Sequence, residues 1–135
     1  MITAVDSSVL LDVFGADPTH GTRSLEASRR CLRDGRITAC DVVWAEVAAF
    51  FPSTGAASDA MERLGVEFDP LTAAAALQAS ESWRKYRERG GRRDRVIPDF
   101  LIGAHALAQA DRLLSRDRGF FRTYFPRLRL LDPSA

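Results

Sequence analysis

Apolar and polar positions alternate in blocks along this chain, and the blocks switch between two periods. "ITAVD" (2–6) is a short β-branched run and predicts a strand; "SSVLLDVF" (7–14) predicts a helix with Ser7 as its cap. Leu25, Ser28, Cys31 and Leu32 recur at helical spacing within 20–34, and Gly35 stops that helix. "RITAC" (36–40) predicts a second strand, Asp41 caps a helix over 42–51 that Pro52 ends, and 53–64 is a further helix closed by Gly65. "VEFDP" (66–70) predicts a third strand, and Thr72 starts a long helix that runs to about Arg89 and Gly90-Gly91. Pro98 opens a helix over 98–110, in the first turn where proline fits. Strands over 112–117 and 128–132 enclose a short helix over 119–125.

Strands that alternate with helices through connections this long pair in parallel, with helices on both faces of the sheet. The expected fold class is α/β: one domain over 1–135, with a central parallel sheet of about five strands. In such sheets ligands bind outside the carboxyl ends of the strands, where the strand order reverses. Four acids fall at that edge. Asp6 ends the first strand and Asp117 the fourth, Asp99 lies in the first turn of the helix before the fourth strand, and Glu46 lies one turn into the helix after the second.

Each acid also has an ordinary explanation. Asp99 favours a helix N-terminus, and Asp6 and Asp117 suit turns at strand ends. Glu46 is harder to place, because Val43, Val47 and Phe50 share its helix face and no basic residue lies within one turn. A carboxylate desolvated there needs a partner from elsewhere in the fold, or a metal ion. Clustered carboxylates repel unless a cation neutralises them. Oxygen donors with no cysteine or histidine beside them select a hard ion, Mg²⁺ or Mn²⁺, which activates water and stabilises phosphoryl transition states. Asp12 and Asp94 read as solvated acids of a helix surface and a loop.

Composition adds little to this and excludes some classes. The chain is 46% hydrophobic and 27% charged with a net charge of +1, ordinary for a globular domain. Cys31 and Cys40 lack metal-ligand spacing and read as reduced core thiols. Neither a secretory signal nor an apolar run long enough to span a bilayer is visible, so the expectation is a cytoplasmic protein. Of the 19 basic residues 18 are arginine, which suits bidentate phosphate recognition, although a GC-rich genome produces the same bias.

Taken in order, "AVDSSVLLDVF", "VVWAEVAAFF", "IPDFLIGAHA" and "LLSRDRGFFRTYFPRLRLLDP" resemble the motifs of PIN-domain ribonucleases, specifically the toxins of bacterial VapBC-type toxin–antitoxin pairs. The resemblance covers nearly the whole chain. It implies a three-layer α/β/α PIN-like fold and a Mg²⁺- or Mn²⁺-dependent endoribonuclease. It makes Asp6, Glu46, Asp99 and Asp117 the metal-binding and catalytic acids, Ser7 or Ser8 the hydroxyl beside the first acid, and Ser115 the hydroxyl two residues before the last. A protein antitoxin and a homodimer are implied as well. Asp41 departs from the residues often seen before the second motif and reads as a cap or as an extra acid at the rim.

"WRKYRERGGRRDRV" (83–96) holds seven basic and two acidic residues with Trp83 and Tyr86 between them. It is either a phosphate-contacting rim, with Arg89, Arg92 and Arg93 touching RNA, or a solvated helix end. Arg116 and Arg118 flank Asp117 and are candidates to orient phosphate. His105 lies on the far side of its helix from Asp99 and reads as a packing or surface residue; His20 is a loop residue. The helices over 42–51 and 56–64 offer Val43, Val47, Phe50, Phe51, Met61 and Leu64 as an apolar cleft for an antitoxin segment. Three rivals stand beside this reading. A receiver domain needs a lysine at the end of a late strand, but Lys85, the only lysine, is in a helix. A haloacid-dehalogenase-type phosphatase needs an aspartate where Ser8 stands. A non-catalytic PIN-fold module usually lacks one or more of the four acids, and all four are present.

Overall fold

The computed structural model describes residues 1–92 and 97–134. In chain order they form β1 (Ile2–Val5), α1 (Ser7–Phe14), α2 (Gly21–Asp34), β2 (Arg36–Ala39), α3 (Asp41–Ala48) and α4 (Thr54–Leu64). These are followed by β3 (Val66–Phe68), α5 (Ala73–Glu88), α6 (Ile97–Gln109), β4 (Arg112–Leu114), α7 (Arg118–Tyr124) and β5 (Leu130–Leu131). The strands make one sheet in the order β3-β2-β1-β4-β5, with every pair parallel. The expected α/β class and five-stranded parallel sheet are what the chain adopts.

The connections from β1 to β2 and from β2 to β3 step one way across the sheet. Those from β3 to β4 and from β4 to β5 step the other way. Right-handed crossovers therefore place α1–α4 on one face and α5–α7 on the other. Packing agrees: α1 lies on α2 and α3, α5 lies on α6, and α6 lies on β1 and β4. The direction reverses between β1 and β4, so the switch point falls where the first and fourth strands end side by side.

The sheet is buried on both faces. Val5, Ile37, Leu113 and Leu114 are at most 1% exposed, as expected when helices cover both sides of parallel strands. Phe100 of α6 is fully buried and packs edge-on against Phe120 and Tyr124 and at a tilt against Tyr86. Gly103 lets Phe125 approach α6, because a Cβ there would lie 2.4 Å from the Phe125 ring. This aromatic cluster fixes the first turn of α6, and with it Asp99.

Several boundaries differ from expectation. The strands are shorter: β4 stops at Leu114, so Ser115, Arg116 and Asp117 form a connection, and β5 is two residues long. Ser53 and Thr72 cap α4 and α5 by accepting from Ala56 (3.1 Å) and Ala75 (3.2 Å), and Gly65 ends α4 at φ +92°. Ser7 is not a cap; Asp6 holds that position for α1. Asp41 is the first residue of α3, behind Cys40, and its Oδ1 accepts from the Leu71 backbone N–H at 3.3 Å. It therefore ties down the β3–α5 connection rather than capping its own helix. Cys31 and Cys40 are free and buried. Among the described residues no helix is long and apolar enough to cross a membrane.

Candidate active site

The β1–β4 register pairs Val5 with Leu114, and the Asp6 backbone N–H donates to the Leu114 carbonyl at 3.0 Å. That register sets Asp6 beside Ser115. The Ser115 hydroxyl donates to Asp6 Oδ2 at 2.7 Å, and the Ser8 hydroxyl donates to the same oxygen at 3.2 Å. Ser115 Oγ in turn accepts from the Asp117 backbone N–H at 3.0 Å. Asp6, Ser8, Ser115 and Asp117 thus form one hydrogen-bonded chain across two strand ends. Asp6 is buried, and its carboxyl titrates above the usual range. Burial is the main cause and the nearby charge of Asp99 adds to it, against the hydroxyl bonds from Ser115 and Ser8 that favour the ionised form.

Asp99, in the first turn of α6, and Asp117, at the N-cap of α7, are both half-buried. Glu46 departs from expectation. It is exposed, and its Oε1 accepts from the Ser7 hydroxyl at 2.7 Å. The desolvated face read from the sequence does not exist, because α3 ends at Ala48 and Phe50 leaves the helix 56% exposed. Glu46 sits one position around from buried Val47, where the helix turns to solvent. The two adjacent serines divide the work: Ser8 serves Asp6, and Ser7 serves Glu46.

All four acids come from elements that end or begin at one sheet edge, and electrostatics couples Asp6 to Asp99. Among the described residues, however, no three acidic, histidine or cysteine side chains form a group that could hold a metal ion. Glu46 is turned onto Ser7, and Asp6 onto Ser115 and Ser8. The donor chemistry still fits a hard cation. Every candidate ligand is a carboxylate, and a buried acid beside a second acid is the arrangement that a divalent ion relieves.

Two residues of this region escaped the sequence reading. Asp12 is not a solvated helix acid; its side chain is 5% exposed. Arg116 grips it with two bonds, Nε to Oδ2 at 2.6 Å and Nη2 to Oδ1 at 3.0 Å, and the Ser24 hydroxyl of α2 donates to Oδ2 at 2.9 Å. Arg116, a candidate to orient phosphate, is thus engaged with Asp12. The available signal was the alternation in Ser115-Arg116-Asp117: with the outer two on the acid side, Arg116 points the other way and needs a partner. Arg118 pairs with Asp132 at 2.7 Å. Arg89 and Arg92 are exposed at the end of α5 and just beyond it, whereas Arg93 and Asp94 lie outside the described residues. His105 is buried, with Nε2 2.9 Å from Asp69 Oδ2. This packing role places it apart from the acids.

Three comparisons bear on this arrangement. Residues 3–126 match the family model described as the PIN domain. No curated protein matches the chain. Among solved structures, it is similar over its full length and theirs to a chain of VapBC-1 from nontypeable Haemophilus influenzae, with a TM-score of 0.76 at 17% identity. A DNA-bound VapBC from Salmonella typhimurium gives 0.73 at 16% identity, and VapBC2 from Rickettsia felis, bound to a promoter DNA fragment, gives 0.71 at 19%; each likeness covers 98% of both chains. At these identities the likeness is one of fold.

Proposed function

The chain belongs to the PIN-domain family, and from that premise we propose that it is a Mg²⁺- or Mn²⁺-dependent endoribonuclease, the toxin of a bacterial VapBC-type toxin–antitoxin pair. The observation that carries the reading is the buried Asp6 carboxylate at the switch point, electrostatically coupled to Asp99 and bonded through Ser115 to the backbone of Asp117. Full-length likeness in fold to chains of VapBC complexes supports the toxin assignment.

Asp6, Asp99 and Asp117, with Glu46 directly or through water, would hold the metal, which supplies a water of lowered pKa and charge stabilisation for the phosphoryl transition state. The chain's own contribution is positional. Ser115 and Ser8 fix the orientation of the Asp6 carboxylate, and Ser7 restrains Glu46 at the rim. The Ser115–Asp117 bond sets where the last acid begins α7. Arg89, Arg92 and Arg93 are the proposed contacts to the RNA backbone.

An antitoxin is the proposed protein partner, and a homodimer the proposed assembly. The apolar cleft expected between α3 and α4 needs correction, because Val43, Val47 and Met61 are in the core, at most 1% exposed. What remains open is a groove of about 580 Å³ between α1 and α4, where Phe14, Phe51, Ala56, Ala60 and Leu64 line the wall together with the charged Asp59 and Arg63. It suits the apolar face of a helix.

The deciding experiment maps RNA ends after brief expression of the parent protein and of Asp99→Asn. New ends from the parent alone support the reading. Identical patterns from both favour a non-catalytic PIN module.

A further inference from the structure

Against two exposed acids, Glu26 and Asp34, of which Asp34 pairs with Arg112, α2 carries four exposed arginines, Arg23, Arg29, Arg30 and Arg33. At 100° per residue they fall within about a third of the helix circumference, and Arg23 and Arg33 are about 15 Å apart along its axis. Among the described residues none of the four has an ion-pair or hydrogen-bond partner through its side chain. They line a groove of about 480 Å³ whose other wall is Pro133 and Ser134.

The direction of α2 gives this groove its meaning. Near its start, Ser24 bonds to Asp12, which holds Arg116 next to the last candidate acid. At its end, Asp34 pairs with Arg112, the first residue of β4, at 2.9 Å. The helix therefore runs antiparallel to β4, from the acidic edge of the sheet to the opposite edge. The far wall also begins at the acidic edge: Pro133 follows Asp132, whose carboxylate pairs with Arg118, the neighbour of Asp117. A positive track, with Glu26 as the one acid lining it, thus starts near the sheet edge that carries the acids and continues down the outer face of the domain.

We infer that the α2 groove is a second nucleic-acid surface, which holds the phosphate backbone of the RNA chain as it runs away from the point of cleavage. The inference rests on the ribonuclease reading and adds to it a length requirement for substrate. Unpaired, closely spaced guanidinium groups match a polyanion, and bidentate geometry suits phosphate oxygens. An acidic protein segment is the competing occupant.

The test uses the full chain with Asp99→Asn, which prevents cleavage during binding, and single-stranded RNAs of increasing length. Arg29→Gln, Arg30→Gln and Arg33→Gln are combined; glutamine preserves helix propensity, and an unchanged melting temperature verifies the fold. Long RNA should bind about tenfold more weakly, and its log–log salt slope should fall by about 0.7 for each phosphate no longer neutralised. RNA too short to leave the acid cleft should bind as before. Equal losses on short and long RNA, or an unchanged slope on long RNA, overturn the inference while RNA cleavage by the parent chain stands. Loss of the antitoxin complex with RNA binding intact overturns it in favour of the acidic protein segment. Failure of the parent protein to bind or cut any RNA overturns this inference and the ribonuclease reading together.

Discussion

Asp12 and Arg116 form a bidentate ion pair between α1 and the β4–α7 connection, with a 5% exposed carboxylate facing a guanidinium that is 33% exposed. The Asp6–Ser115 bond links the residue that caps α1 to the same connection, so two separate ties join these segments. The unequal burial predicts unequal mutants. Arg116→Met strands a buried charge and should cost about 3 kcal/mol. Asp12→Asn leaves an arginine that can reach water and should cost about 1 kcal/mol. Urea denaturation of both single variants and the double variant measures each cost and their coupling. Equal costs would mean that Asp12 reaches solvent.

Asp6 gives a prediction in which stability and activity move in opposite directions. Its folded carboxyl titrates above the ordinary value of 3.8, through burial first and the charge of Asp99 second. A raised carboxyl contributes stability fully below its unfolded value and loses it as pH rises through its folded value. With metal chelated, Asp6→Asn should therefore melt higher than the parent near neutral pH, and the gap should close on acidification below about 3.8. The same variant, and Asp99→Asn, should cut no RNA. Melting curves across pH, paired with cleavage assays, test both halves; wild-type cleavage by either variant would remove these acids from the site.

The basic end of α5 predicts a change in salt response. Replacing Arg89, Arg92 and Arg93 with glutamine should weaken RNA binding and flatten the log–log salt slope by about 0.7 for every phosphate these arginines neutralise. Metal affinity and melting temperature should hold. An unchanged slope would make this segment an ordinary solvated helix end.

Phe50 is 56% exposed and stacks edge-on against Phe51, which lines the groove between α1 and α4. Phe50→Glu and Phe51→Glu should release the proposed antitoxin while leaving RNA cleavage intact. Co-purification through a tag on the antitoxin measures this. A complex of undiminished yield from both variants would place the partner elsewhere.

The fold was legible because periodicity, glycine stops and the Thr72 helix start all act locally. The position of Asp6 was legible because a strand end in a parallel sheet faces the ligand edge whatever surrounds it. The setting of Glu46 was not, since it depended on α3 ending at Ala48 rather than running on to Phe51. A helix terminus of this kind is settled by tertiary packing more than by propensity. Asp12 was missed for a related reason. Its partner lies 104 residues away, and nothing near Asp12 in the chain distinguishes a buried acid from a solvated one.

The Asp6–Ser115 bond joins residues 109 positions apart. During synthesis the first acid is made early, and its serine partner and the last acid only after β4. A nascent chain that has emerged as far as α6 holds Asp6, Glu46 and Asp99 but has no β4 to pair with β1. The central strand then lacks one neighbour, and the switch point does not yet exist. On the ribonuclease reading, a chain interrupted anywhere before residue 115 lacks both Ser115 and the last acid and cannot complete the site. Competence to cut arrives in one late step, which leaves the interval of translation for a restraining partner to be present first.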